Sequence, residues 1–486
     1  MKGPNNPEDL HFLLLPFMAP GHMLPMSDIA VLLALRGASV TLITTPLNAA
    51  RLRPTLSHHH PLISLVALPF LPAPDSGLPD GCESFDALPS RDHEPAFFRA
   101  TESLLAPTLR HLRAPGRAPP RCVIADAFLP WAREIAREFR APRLVFHGCA
   151  CFATLCFHNL IANGALARVG HEREQRIIVP GMPHEVEITQ EQLQVDDTRL
   201  DDLRVEMWEA GEMADGVVVN SFEELEHEYL DVYREATGKD VWMIGPVSLS
   251  NKNPSNTMDR GGKASTNELR CLDWLDQREP KSVIYVSFGS IGRLSPPQTA
   301  ELARALESSG RNFMWVIKGG NNDNGLPEEF KEEPITERRM VVHGWAPQVA
   351  ILSHGAVGGF VTHCGWNSTL EGVCAGVPMV AWPLFAEQFL NEKLVVDVLR
   401  VGVRVGVERP SGWAGEGVGV VGVEAIERAL EEVMDGGKEG VLRRMRAREL
   451  GEMARKAVEV GGSSYVNMTR LIDYVSEHMY VNDDGT

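Results

Sequence analysis

Four polar residues at short spacing mark the run Thr362-His363-Cys364-Gly365-Trp366-Asn367-Ser368, which opens a helix reaching through Glu371 towards Gly376. His363, Asn367 and Glu371 stand at i, i+4 and i+8 and so share one helix face. A helix N-terminus presents unpaired N–H groups and a partial positive charge, which suits a diphosphate. His363, as cation or donor, and the small donors Asn367 and Ser368 occupy that positive end. Glu371, about two turns further on, is better placed for neutral ribose hydroxyls. Upstream, Trp345 offers an indole face on which a base can stack, a contact worth about 1–3 kcal/mol that needs no sequence readout. Downstream, Glu387 and Gln388 set an acid beside an amide, able to accept from and donate to the vicinal hydroxyls of a pyranose. Base, diphosphate and sugar thus find matching residue types in order along 345–388.

Proton handling points to a second pair. His22 lies in the loop Met18–Pro25, beyond a strand at 11–17, and Asp126 ends the strand-like run Arg121–Phe128 at the carboxyl edge of the same sheet. With Asp126 holding one ring nitrogen, His22 can take a hydroxyl proton on the other, which is triad logic without a protein nucleophile. General-base help of this kind is worth about 10²–10⁴ in rate. An oxygen so activated attacks an anomeric carbon as the nucleotide leaves from the opposite side, so an α-linked donor gives a β-glycoside.

The elements that must position these residues repeat a β-loop-α-β order. Strands at 11–17, 39–45, 121–128, 143–147, 216–220 and 241–245 alternate with helical stretches such as Met26–Arg36, Trp131–Phe139 and Phe222–Glu235. A doubly wound sheet built this way binds ligands beyond its strands' carboxyl ends. Pro246 stops the last of these strands, and 246–266 is polar and without periodicity, as an interdomain linker should be. A second series follows, with strands at 282–287, 313–317, 340–343, 358–362 and 379–382, and it implies a second parallel sheet covered on both faces. Lys318–Asp323 and the Gly-rich 411–422 read as surface loops. The expected domains are 1–245, 267–460 and a final helical segment, 461–486.

The stretch Trp345–Gln388 resembles the signature box of the plant secondary-product glycosyltransferases, family 1 enzymes that move sugar from a UDP-sugar onto small lipophilic acceptors. The resemblance also takes in the opening phrase around His22, Asp126, the turn Val286-Ser287-Phe288-Gly289-Ser290 and the tail. It implies the GT-B fold, two Rossmann-like domains facing across a cleft, with the acceptor mainly in the first and the donor mainly in the second. It further implies that Trp345 stacks on uracil, that Ala346 offers it backbone contacts, that Gln348 reaches the ribose, and that His22 and Asp126 form the catalytic dyad. Ser290 joins His363 and Ser368 around the phosphates. Trp366 and Gln388 are similar to those of glucose-using members, whereas Glu387 departs from the usual Asp, as one sub-branch with the phrase FAEQF does. UDP-glucose is therefore the expected co-substrate, and flavonoid, phenolic, triterpenoid or steroid aglycones or glycosides the expected acceptors. Met18, Phe85, Phe128, His147, Phe152 and Phe385 are the acceptor-pocket candidates, by loop position and apolar character.

Other classes fit less well. A glycosidase needs two carboxylates flanking the bond, and the phrases around His22 and Asp126 supply one. A metal-dependent transferase carries Asp-x-Asp, and no two aspartates here stand two residues apart, so no metal is expected. An oxidoreductase on a similar sheet needs G-x-G-x-x-G after the first strand, and FMAPGHMLP lacks it. A non-catalytic UDP-sugar-binding protein has no need of His22 and Asp126. The net charge of −18 over 486 residues speaks against nucleic-acid or anionic-membrane partners. Eight cysteines in so long a chain form no disulfide framework, and the cluster Cys149, Cys151 and Cys156 has no second half of a zinc site. His58-His59-His60, flanked by Ser and Pro, reads as a solvated loop. The polar start MKGPNNPEDL and the lack of a spanning apolar run lead to the expectation of a cytoplasmic protein; a monomer is the expected state.

Overall fold

The computed structural model describes residues 10–57, 61–72, 75–165, 175–193, 198–249, 266–317, 325–411 and 419–483. Most of the linker expected at 246–266 and of the Gly-rich 411–422, together with the loop at 318–323 and the triplet His58-His59-His60, falls outside them. Contacts divide the chain into two compact units: Met1–Gly148 with Asp197–Lys263 and Ala457–Thr486, and Cys149–Asp196 with Ala264–Lys456. The partition differs from the one expected at 245 and 267, because 149–196 groups with the second unit and 457–460 with the first.

The first unit is built on strands β1 (His11–Leu15), β2 (Ser39–Thr44), β3 (Ile63–Ala67), β4 (Cys122–Asp126), β5 (Arg143–His147), β6 (Gly216–Val219) and β7 (Asp240–Met243). All pair in parallel, in the order β3-β2-β1-β4-β5-β6-β7. β1 and β4 are buried at every position, as the central strands of a sheet covered on both faces must be. One core packs Phe12, Leu14, Ile29, Leu33 and Ile124 with Met468, Leu471 and Val475 of the final helix, Ser463–Asp483. Asn467 fixes that helix by donating to the carbonyl of Met243 at 3.1 Å.

The second unit repeats the plan with β8 (Val283–Ser287), β9 (Asn312–Ile317), β10 (Arg339–His343), β11 (Val357–Thr362), β12 (Met379–Ala381) and β13 (Gly402–Arg404). They pair in parallel in the order β10-β9-β8-β11-β12-β13. A two-stranded antiparallel ribbon, Arg176–Ile178 with Glu187–Thr189, also belongs to this unit. Among the described residues, no helix is long and apolar enough to cross a membrane.

In both sheets the strand order reverses beside a central pair, β1 with β4 and β8 with β11. In each sheet, the residues that follow its central pair therefore lie at that sheet's own topological switch point.

Candidate functional site

At the first switch point the chain leaves β1 through Phe17 and Met18 and enters the helix Pro20–Leu35. The helix begins earlier than the sequence suggests, so His22 sits in its first turn rather than in a loop. Pro20 takes the first helical position, where a missing N–H costs nothing, and Pro25 forfeits one intrahelical bond without stopping the helix. His22 Nδ1 lies 2.7 Å from Asp126 Oδ2. The other carboxylate oxygen, Oδ1, accepts the Phe128 N–H at 3.1 Å, and the side chain of Asp126 is buried. A carboxylate only accepts, so Nδ1 carries the proton and Nε2 presents its lone pair. The His22 side chain keeps 21% of its surface exposed, against 1% for Asp126. Gly148, just past β5, lets the backbone approach the imidazole: a Cβ there would stand 3.3 Å from Cε1 and Nδ1.

Five phenylalanines gather beside this ring. Phe17 meets His22 edge-on at 5.4 Å and Phe128 meets it at 5.2 Å. Phe85 and Phe98 pack on Phe17 at 5.2 and 5.1 Å, and Phe97 completes the cluster. Of the acceptor candidates, Phe85 and Phe128 join the group, and buried Met18 holds it by accepting the Phe85 N–H at 2.8 Å. His147 ends β5 beside the strand of Asp126; burial pushes its pKa down to about 4, only partly opposed by the Asp126 charge. The remaining two lie in the second unit. Phe152 is buried and stacked on His184 at 6.3 Å, and Phe385 belongs to that unit's core. Phe17, Phe97 and Phe98 were not singled out by sequence reading; the adjacent Phe97-Phe98 pair was the available signal.

The second switch point holds the diphosphate-type corner. β11 ends at Thr362, Cys364 takes a left-handed φ of 63°, and the helix Trp366–Ala375 begins after Gly365 with no side chain capping it. His363 therefore belongs to the turn, and only Asn367 and Glu371 share a helix face. The left-handed residue swings the imidazole between two glycines. A Cβ on Gly289, itself at φ 75°, would lie 2.4 Å from the His363 ring, and one on Gly365 would also lie 2.4 Å from it. The contact with Gly289 is not visible in sequence, since it joins residues far apart in the chain. Burial holds the His363 pKa down at about 4. Of the two readings that its position allowed, cation or donor, burial therefore favours the neutral hydrogen-bonding group at pH 7. Its buried Nδ1 has no partner among the described residues. Ser290 follows Gly289 in the same turn, half-buried.

Other candidates gather around the same helix. Gln348 Nε2 donates to Ser368 Oγ at 3.0 Å and to Glu371 Oε2 at 2.8 Å, while the Tyr285 hydroxyl donates to Gln348 Oε1 at 3.3 Å. Trp345 follows Gly344, whose φ is 97°, and keeps 37% of its surface exposed, an unusual state for an indole. Ala346 is buried and its carbonyl accepts the Gln348 N–H at 2.9 Å. Trp366 is buried at the first helical position, so any part in recognition runs through its backbone or its packing. Beyond β12, Ala386 adopts a left-handed φ of 55° just before half-buried Glu387. Gln388 Oε1 accepts the N–H groups of Leu384 and Phe385 at 2.8 and 3.1 Å, leaving its amide nitrogen as the recognising end.

An exposed indole, a helix N-terminus and an acid–amide pair on one sheet edge, with a histidine–carboxylate dyad on another sheet, are parts that a nucleotide-sugar transferase needs. The family described as UDP-glucoronosyl and UDP-glucosyl transferase matches residues 256–443. UDP-glycosyltransferase 73E1 of Stevia rebaudiana is 45% identical, over 97% of each chain. The structure of Glycyrrhiza uralensis UGT73P12 complexed with glycyrrhetinic acid 3-O-monoglucuronide superposes with a TM-score of 0.86 at 36% identity, covering 98% of both chains. That of Medicago truncatula UGT71G1 complexed with UDP-glucose gives a TM-score of 0.80 at 26% identity, covering 97% of this chain and 99% of that one. The chain belongs to the plant UDP-glycosyltransferase family and has its GT-B fold.

Proposed function

We propose that this enzyme is an inverting, UDP-glucose-dependent O-glucosyltransferase acting on a hydroxyl of a small lipophilic metabolite, of flavonoid, phenolic, triterpenoid or steroid type. The observation that carries the reading is the 2.7 Å bond between His22 Nδ1 and Asp126. It fixes the tautomer in which Nε2 is basic, and it does so beside a phenylalanine cluster able to hold a flat apolar acceptor. In the proposed step, Nε2 takes the proton of the acceptor hydroxyl as its oxygen bonds to the anomeric carbon. The bond from that carbon to the UDP oxygen breaks, and UDP leaves with the electron pair. The imidazolium, stabilised by Asp126, then returns its proton to solvent.

On the donor side, Trp345 takes the uracil, Ala346 its edge, and Gln348 with Glu371 the ribose. His363, Asn367, Ser368 and Ser290 take the phosphates without a metal ion, and Glu387 with Gln388 takes the glucose. Support comes from the polar network around Gln348, from the glycine-clamped His363 and from the likeness to a protein solved with UDP-glucose.

The test is a mass-spectrometric screen of diverse acceptors with UDP-glucose, UDP-galactose and UDP-glucuronate, run on wild type and His22→Ala together. The reading expects β-linked glucosides from wild type and a loss of about 10²–10⁴ in rate for the variant. Equal activity of the two, or an α-linked product, refutes it.

A further inference from the structure

One residue outside the stretch Trp345–Gln388 ties its phosphate turn to its acid–amide pair. Asn391 lies in the helix Gln388–Lys393, at i+3 from Gln388 and so on the same face. Its backbone N–H donates to the Glu387 carbonyl at 3.0 Å, and its Nδ2 donates to the Cys364 carbonyl at 2.8 Å. The side chain is fully buried, and its Oδ1 has no partner among the described residues. Asn391, Cys364 and Glu387 all belong to the second unit.

Cys364 holds a φ of 63°, a conformation that a residue with a Cβ keeps only when its surroundings impose it. The peptide between Cys364 and Gly365 is the one most free to turn over, because glycine restrains it little. In a trans peptide the carbonyl and the N–H point in opposite directions. Holding the Cys364 oxygen on the Asn391 side therefore sends the Gly365 N–H the other way, at the residue that precedes the helix Trp366–Ala375. A flip of this peptide would reverse that N–H and release the turn that carries His363. Fold stability alone does not account for the amide. A leucine of similar size would remove the orphaned Oδ1 while leaving the Cys364 carbonyl without its donor, so one unpaired polar atom replaces another.

We propose that Asn391 is a positioning residue for the diphosphate: it locks the Cys364–Gly365 peptide and, through it, the direction of His363 and of the first N–H groups of the helix. The inference rests on the proposed function for the role of that turn in holding phosphates. It deepens that reading by assigning phosphate recognition a support that touches neither base, ribose nor sugar.

The experiment compares UDP with uridine, which lacks both phosphates, on the whole chain as wild type, Asn391→Leu and Asn391→Ala. UDP affinity is measured by calorimetric titration and uridine affinity by ligand-observed NMR titration, with thermal melting to show that each variant is folded. Asn391→Leu should melt close to wild type. UDP should bind roughly fivefold to tenfold more weakly to Asn391→Leu, the scale of one lost hydrogen bond, and Asn391→Ala should change in the same direction. Uridine should bind all three proteins within about twofold. If Asn391→Leu does not fold, Asn391→Ala carries the comparison, because truncation inserts no new group. UDP affinity unchanged in the folded variants overturns the inference, and so does a loss of uridine affinity as large as that of UDP, which would make Asn391 a general support of the unit. A wild type that binds neither ligand overturns the donor side of the proposed function, and this inference with it.

Discussion

The two units place a histidine at equivalent switch points and give them opposite environments. His22 keeps part of its ring exposed, has a buried carboxylate 2.7 Å from Nδ1 and follows a central strand. His363 also follows a central strand, but it is buried between two glycines, with no partner on Nδ1 among the described residues. The topology is shared; the neighbours differ. A carboxylate fixes a tautomer and stabilises the protonated ring, which makes a base. Burial without a counter-charge destabilises the protonated ring, which makes a neutral hydrogen-bonding group. On the proposed reading, one residue type would serve proton transfer in one sheet and ligand holding in the other.

Removing the carboxylate side of this contrast has the largest expected effect. His22→Ala should lower kcat by about 10²–10⁴ while leaving KM for UDP-glucose nearly unchanged, because the donor groups lie in the other unit. Asp126→Ala should cost less, since it removes the orienting partner and leaves the base. Steady-state kinetics with each substrate varied in turn checks both. A large rise in donor KM for His22→Ala would mean that the two histidines do not divide the work.

Disturbing the glycine clamp should give the reverse pattern. A Cβ at Gly365 or Gly289 would sit 2.4 Å from the His363 ring, so the imidazole must move. Overpacking of this kind costs typically about 1–3 kcal/mol. Gly365→Ala is the cleaner variant, because Gly289 also holds a φ of 75° that alanine resists. Calorimetric titration with UDP should show affinity falling roughly tenfold or more for Gly365→Ala, the equivalent of at least about 1.4 kcal/mol. Acceptor KM should stay as in wild type.

These two pairs also show what a sequence can and cannot carry. The strand–helix phrase around His363 was legible because a short apolar run bounded by glycines and followed by small polar residues has few other readings. The nature of His363 was not legible: its neutrality comes from Gly289 and from burial, which are tertiary facts. The start of the first helix was misplaced because Pro25 looked like a break, whereas the real entry is Pro20. β3 escaped notice because it is an edge strand whose residues are only partly covered, so no buried apolar run marks it. β13 has three residues, too few for periodicity to register. The split of 149–196 away from the first unit was likewise hidden, because composition does not change at Gly148.

Acidification offers a smaller and two-sided effect. The pKa of His363 falls from 6.5 in the unfolded chain to about 4 in the fold. The unfolded state then binds more protons between those values, so stability conferred by the neutral ring is present above pH 6.5 and lost as pH falls towards 4. Glu392, in the helix Gln388–Lys393, has the opposite sign. Burial, only partly offset by Arg404 and Lys393, raises its pKa from 4.5 to about 7. Its contribution is present below pH 4.5 and lost as pH rises through about 7. Each shift corresponds to something on the order of 3 kcal/mol at its limit. Thermal melting from pH 4 to 8 should show His363→Asn flattening the acid side of the profile and Glu392→Gln the neutral side. If either variant left its side of the profile unchanged, that group would not be titrating as its burial requires.

The smallest expected effect concerns the two left-handed turns beside the proposed donor groups, at Cys364 and Ala386. A non-glycine residue in that conformation costs about 1–2 kcal/mol, and glycine removes the strain while adding unfolded-chain entropy that nearly cancels the gain. Ala386→Gly should therefore raise stability by less than about 1 kcal/mol. Its consequence for recognition should be confined to one residue. Gln388 is held by its Oε1, which takes two backbone N–H groups, whereas Glu387 follows directly on the left-handed residue 386. Loosening that backbone should lower the ratio of kcat/KM for UDP-glucose over UDP-galactose roughly twofold, a few tenths of a kcal/mol. A collapse of selectivity in Ala386→Gly would show that the turn, and not the two bonds to Leu384 and Phe385, fixes the direction of Gln388.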